Sequence, residues 1–175
     1  MFRNLNFLLL LTLCMSCERN YTFKELENKK VVFIGLAKYG LGSIPPEIGQ
    51  LKAVEEVTIS MDSIMGWTIY PPPSAMAKMV DQPPHKKIPD ELTELKSLKK
   101  LNISGLNLRT LPENFSELKN LQYINLSMNK LDLKNELSKL RALPNLKVLL
   151  IGGNRIDSIQ IENWKNDNLK IDIQL

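Results

Sequence analysis

Few side chains in this sequence could do chemistry. Its two cysteines, Cys14 and Cys17, stand close together near the N-terminus, and its one histidine, His85, sits between Pro84 and Lys86. A Cys-x-x-Cys pair suits disulfide exchange when a βαβ unit presents it. This pair lies in and beside an apolar run instead, with no such unit around it. General acid–base work by His85 would need a neighbouring carboxylate such as Asp81 or Asp90, and no motif sets a nucleophile beside it. One His and two Cys fall short of the four ligands of a usual zinc site, and there is no glycine-rich phosphate loop. No metal and no cofactor are therefore expected.

The elements around these residues come next. The chain has 175 residues, enough for one domain with a core, and 43% hydrophobic against 24% charged residues is a globular profile. The net charge of +4 comes from scattered basic residues without a stripe, so no nucleic-acid partner is expected. Arg3 is followed by an apolar run from Phe7 through Met15, then by Ser16, Cys17 and the polar Glu18-Arg19-Asn20. Its core of about nine residues is too short to span a bilayer and reads as a secretory signal. The segment resembles a bacterial lipoprotein signal, with a small residue, Ser16, ahead of a Cys. Cys14 follows the bulky Leu13 and fits less well. The resemblance implies cleavage before Cys17 and acylation of its thiol, and several acyl chains would anchor the chain stably. An ordinary cleaved secretory signal is the other reading of this leader.

The rest of the chain repeats. Leu95-x-x-Leu98-x-x-Leu101-x-Ile103 recurs as Leu118-x-x-Leu121-x-x-Ile124-x-Leu126 and as Leu143-x-x-Leu146-x-x-Leu149-x-Ile151. The spacing is about 23 to 25 residues. Leu51-x-x-Val54-x-x-Val57-x-Ile59 is a fourth copy and Asn28-x-x-Val31-x-x-Ile34-x-Leu36 a weaker fifth, with a truncated sixth in 169–175. A second landmark recurs at Ile44-Pro45, Ile88-Pro89 and Leu111-Pro112. The inner alternation has the period of a strand buried on one face, and the outer spacings suit a 3₁₀ or short helical turn. This pattern resembles the leucine-rich-repeat family. The resemblance implies an α/β solenoid with a parallel sheet on the concave face and an irregular, 3₁₀ or short helical convex face. It also implies an Asn where each chain leaves its strand. Asn129 and Asn154 match, whereas Tyr39, Asp62 and Leu106 stand at the earlier positions.

The expected organisation is a signal peptide over 1–16, a tether and N-terminal cap over 17–27, and a repeat domain over 28–175. That domain holds about five repeats plus the truncated last one, interrupted by an insertion at about 65–87. Thr22-x-x-Glu25 predicts a capping box ahead of a short helix whose Phe23 and Leu26 cover the first repeat. At the other end Trp164 and the alternation Ile171, Ile173, Leu175 predict a last strand, whose open edge could pair with a second copy in a homodimer. The insertion carries Trp67 and Tyr70, residue types enriched at interfaces, and either binds a partner or folds back on the solenoid flank.

The side chains alternating with the buried pairs form the concave face: Phe33 and Gly35, Glu56 and Thr58, Lys100 and Asn102, Tyr123 and Asn125, Val148 and Leu150. Glu55-Glu56 should lie beside Lys99-Lys100, and Ala37, Ser60, Ser104, Ser127 and Gly152 should form a shallow shelf. Lys130 and Arg155 should be neighbours on the rim. A mixed face with apolar contacts suits a protein or peptide ligand. The sequons at Asn20, Asn102, Asn114 and Asn125 carry no meaning in a bacterial lipoprotein. The sequence thus predicts a non-catalytic protein- or peptide-binding leucine-rich-repeat module, displayed as a lipoprotein on the cell envelope or else secreted. The alternatives are a cytosolic regulatory scaffold like the leucine-rich phosphatase-regulating subunits, with an uncleaved leader, and an enzyme that uses the insertion.

Overall fold

The computed structural model describes residues 21–61, 87–155, 158–167 and 170–175. Among these, six strands form one open parallel sheet in chain order: β1 Val31–Gly35, β2 Glu56–Ser60, β3 Lys100–Asn102, β4 Tyr123–Asn125, β5 Val148–Leu150 and β6 Asp172–Gln174. Each strand alone has one apolar face and nothing to bury it against; stacking supplies the neighbour. The pairing puts Val32, Val57, Leu101, Ile124, Leu149 and Ile173 on one level. All six are buried, as are Ile34, Ile59, Ile103, Leu126 and Ile151 two residues further on.

The first unit departs from the sequence reading. Val31 pairs with Glu56 and Phe33 with Thr58, so Phe33 is level with Thr58 instead of Glu56. The true first copy is Leu26-x-x-Lys29-x-x-Val32-x-Ile34, two residues upstream of the expected one. A slip of two keeps every side chain on its own face and changes only its partners. Gly35, not Ala37, is therefore level with Ser60.

Opposite the sheet the chain turns back through short helical segments. Besides a 3₁₀ turn after β1, Ala37–Tyr39, three 3₁₀ turns recur there, Pro46–Gln50, Asp90–Glu94 and Glu113–Glu117, entered through Pro45, Pro89 and Pro112 with φ of −82°, −64° and −53°. Proline holds this extended entry, and the third residue of each turn, Ile48, Leu92 or Phe115, is fully buried. The following unit is longer and carries an α-helix instead. After a first short helix α1, Tyr21–Lys24, this is α2, Leu133–Arg141, with α3, Ser158–Asp167, in the next unit. Asp132 caps α2 by accepting from the Lys134 N–H at 3.2 Å, and Leu133, Leu137 and Leu140 recur at helical spacing toward the core.

The array is covered at its start by Phe23 and Leu26, both buried, and the Phe23 ring lies 6.5 Å from that of Tyr39. The side chain of Thr22, on which the expected capping box depends, lies outside the described residues. At the other end Trp164 is buried on α3 with Ile161, and Ile173 is buried on β6. Leu175, expected to share the inward face with Ile173, is 65% exposed.

Candidate functional site

The outward side of the sheet is laid out in levels by the strand register. One level runs Val31, Glu56, Lys100, Tyr123, Val148, Asp172, and the next Phe33, Thr58, Asn102, Asn125, Leu150, Gln174. From β2 to β5 the order matches the sequence expectation. Val31, 66% exposed, joins this face through the two-residue slip and was missed; aligning the unit on Val32 and Ile34 would have found it. Toward the C-terminal rim follow Ser104, Ser127 and Gly152 of the expected shelf, closed at its β5 end by the Leu175 backbone: a Cβ on Gly152 would meet the Leu175 carbonyl carbon at 2.5 Å.

Charges on this side pair across strands. Lys100 Nζ lies 2.8 Å from Glu56 Oε1, and Lys99 Nζ 2.6 Å from Glu55 Oε2, as expected. Lys30, which sequence reasoning did not single out, reaches the other Glu55 oxygen at 2.9 Å. Hydrogen bonds first from Lys99 and then from Lys30 hold the Glu55 carboxyl down to about 2. The same contact with Glu55 raises Lys30.

The two asparagines at the centre bond along their own strands. Asn102 Oδ1 accepts from the Ser104 N–H at 3.2 Å and from its hydroxyl at 3.0 Å, and Asn125 Oδ1 accepts from the Ser127 N–H at 3.0 Å. Past the shelf each chain passes through a left-handed residue: Gly105 at φ 69°, Met128 at φ 58°, Gly153 at φ 74°. Glycine takes this conformation without strain, and Met128 does not. Its side chain is 67% exposed, and a Cβ on Gly153 would meet Met128 Sδ at 2.6 Å. Comparing Met128 with the glycines at the same place in the neighbouring units was the available signal.

Beneath the rim, Asn129 and Asn154 hold the turns. Buried Asn129 accepts from the Leu106 and Leu108 N–H groups at 3.0 and 3.1 Å and donates to the carbonyls of Ile103 and Leu126. Asn154 accepts from the Leu131 N–H at 3.1 Å. Leu106, at the place of a missing Asn, is simply buried. Lys130 and Arg155 follow at equivalent positions of successive units, both exposed.

The convex side is built differently. Lys52 pairs with Glu94 and Lys96 with Glu117, tying each turn to the next. Buried Glu136 accepts from the Leu111 N–H at 3.1 Å and lies 3.3 Å from Lys139 Nζ, which also bonds the Leu111 carbonyl and Glu113. An open depression of about 410 Å³ lies between the first two recurring 3₁₀ turns, lined by Pro46, Glu47, Gly49, Gln50, Lys52, Glu91 and Glu94. Its Glu94 and Lys52 neutralise each other. Cys17, Trp67, Tyr70, Asp81 and His85 lie outside the described residues. No described helix is long and apolar enough to cross a membrane.

No protein-family model and no curated protein matches the sequence. Among solved structures the chain is similar to the LRR protein LIC12759 of Leptospira interrogans, at 25% identity and a TM-score of 0.52. The fold is a leucine-rich-repeat solenoid. The match covers 77% of this chain and 34% of that one, so the chain spans about a third of its neighbour's length. In leucine-rich-repeat terms, β1 to β6 line the concave face, and the three recurring 3₁₀ turns with α2 and α3 form the convex one.

Proposed function

We propose that the chain is a non-catalytic protein- or peptide-binding leucine-rich-repeat module, displayed on a membrane surface through acylated Cys17. The observation that carries the binding reading is the outward side of the sheet. Its in-register levels set the apolar Tyr123, Val148 and Leu150 beside polar Asn102 and Asn125 on one sheet face. Such a surface offers contact area and hydrogen bonds to an extended or convex protein partner, whereas small-molecule sites are deep and enclosed. The leader, with its short apolar core and Ser16-Cys17, supports display outside the cytoplasm.

Both parts are testable. A photo-reactive residue at position 123 should cross-link a protein partner in intact cells, while the same residue at Lys96 on the convex side should not; equal cross-linking from both would sink the concave-face reading. For the anchor, the mature wild type should begin at a diacylated Cys17 and partition with membranes, and Cys17→Ser should lose both properties. A full-length, soluble, unmodified chain would replace the lipoprotein reading with a cytosolic scaffold.

A further inference from the structure

Two amides of the concave face have turned their acceptor ends to the backbone and kept their donor ends. The Ser104 and Ser127 N–H groups draw the carbonyl ends of Asn102 and Asn125 onto their own strands, which leaves the two NH₂ ends over. Among the described residues neither Nδ2 meets an acceptor. The two residues are level on β3 and β4, which places their amides about 4.8 Å apart. Within β3–β5 there is no outward carboxylate; Glu56 on β2 is paired with Lys100 at 2.8 Å, and Asp172 on β6 accepts from the Gln174 amide at 2.8 Å and keeps its charge. The exposed cations flanking β4 and β5, Lys147 at the strand start and Lys130 and Arg155 past the strand end, have no carboxylate partner among the described residues. Over β3–β5 the two amide NH₂ groups and these three cations are thus unspent donors, with half-buried Val148 and Leu150 between them.

From this complementarity we infer that the β3–β5 part of the face binds an extended acidic segment of a partner protein. The inference rests on the protein-binding reading above. Carboxylates and main-chain carbonyls of the segment accept from Asn102 and Asn125, and its apolar side chains cover Val148 and Leu150. A polyanion without apolar groups would satisfy the donors but leave those two side chains in water, so a peptide fits better.

The test selects randomised 12-residue peptides on immobilised full-length protein. The enriched pool should be net negative with interspersed apolar residues. Its peptides should bind about tenfold more weakly to Asn102→Asp/Asn125→Asp, a loss on the order of one charge-assisted hydrogen bond. Each substitution keeps the oxygen that holds its strand end and replaces the NH₂ donor by a carboxylate; because two carboxylates side by side repel, each is also tested singly, with a urea melt as the folding control. A Val148→Ser/Leu150→Ser variant should also lose affinity. An enriched pool that is neutral or basic, or one that binds the Asp variants unchanged, would overturn the inference and leave the protein-binding reading standing. Binding of dextran sulfate as tight as that of the peptides, and undiminished in the Ser variant, would overturn it in favour of a polyanion. Failure of any peptide to enrich would remove both.

Discussion

Replacing Asn129 with Ala removes an amide that serves three successive pieces of backbone. Its oxygen accepts from the Leu106 and Leu108 N–H groups, both buried, and its nitrogen donates to the Ile103 and Leu126 carbonyls. The Leu126 carbonyl keeps Asn154 Nδ2 at 2.9 Å, whereas the Ile103 carbonyl loses its side-chain donor along with the two N–H groups that lose their acceptor. A buried donor left without an acceptor costs about 1 to 3 kcal/mol, which makes about 2 to 6 kcal/mol for the pair. Asn154→Ala deprives one such donor, Leu131 N–H, and should cost about half as much. Urea unfolding of the two variants measures the difference, and amide exchange identifies its source. The Leu106 and Leu108 amides should lose protection in Asn129→Ala and keep it in Asn154→Ala. If Asn129→Ala unfolds no more easily than Asn154→Ala, or those two amides exchange as in the wild type, the accounting by orphaned donors is wrong.

Met128→Gly should be neutral or stabilising by about 1 kcal/mol because it relieves a left-handed φ of 58°. Met128→Val should destabilise by at least as much, and thermal melts compare the two. Gly49→Ala would bring a Cβ to 2.9 Å from both Glu91 Cβ and Glu91 O, so a loss of about 1 to 3 kcal/mol is expected in the same assay. Because the folded-state carboxyl of Glu55 lies near 2, below its ordinary 4.5, its contribution is present above pH 4.5 and fades as pH falls toward 2. The stability gap between wild type and Glu55→Gln should therefore narrow across that window in urea titrations; a gap that stays constant or widens would contradict the pairing with Lys99 and Lys30.

The ladders were legible because the same apolar spacing returns wherever a strand must bury one face, and the register followed from them. That is why the pairing of Glu56 with Lys100 was legible in the sequence. The first unit slid because Lys29, exposed at the start of the array, stands where Val54, Leu98, Leu121 and Leu146 mark the later units. At the end of a stack that position faces no preceding unit and needs no apolar side chain. Glu136 gave no signal, since its partner Leu111 is a backbone group 25 residues away and a lone Glu on a helix reads as solvated. The donor bias at Asn102 and Asn125 was hidden for a related reason. Residue type shows that an amide is present, and only the Ser104 and Ser127 N–H groups decide which end faces out.

The separation between inward ladders and outward levels gives the chain two nearly independent alphabets. Substitutions such as Val148 to a polar residue alter a contact two strands away from Lys100 and leave Leu149 in place, so their effects on folding should add without coupling. A lineage can then respell its surface one strand at a time while the buried words stay fixed. An identity of only 25% to a protein with the same fold is what such a division of labour would leave behind.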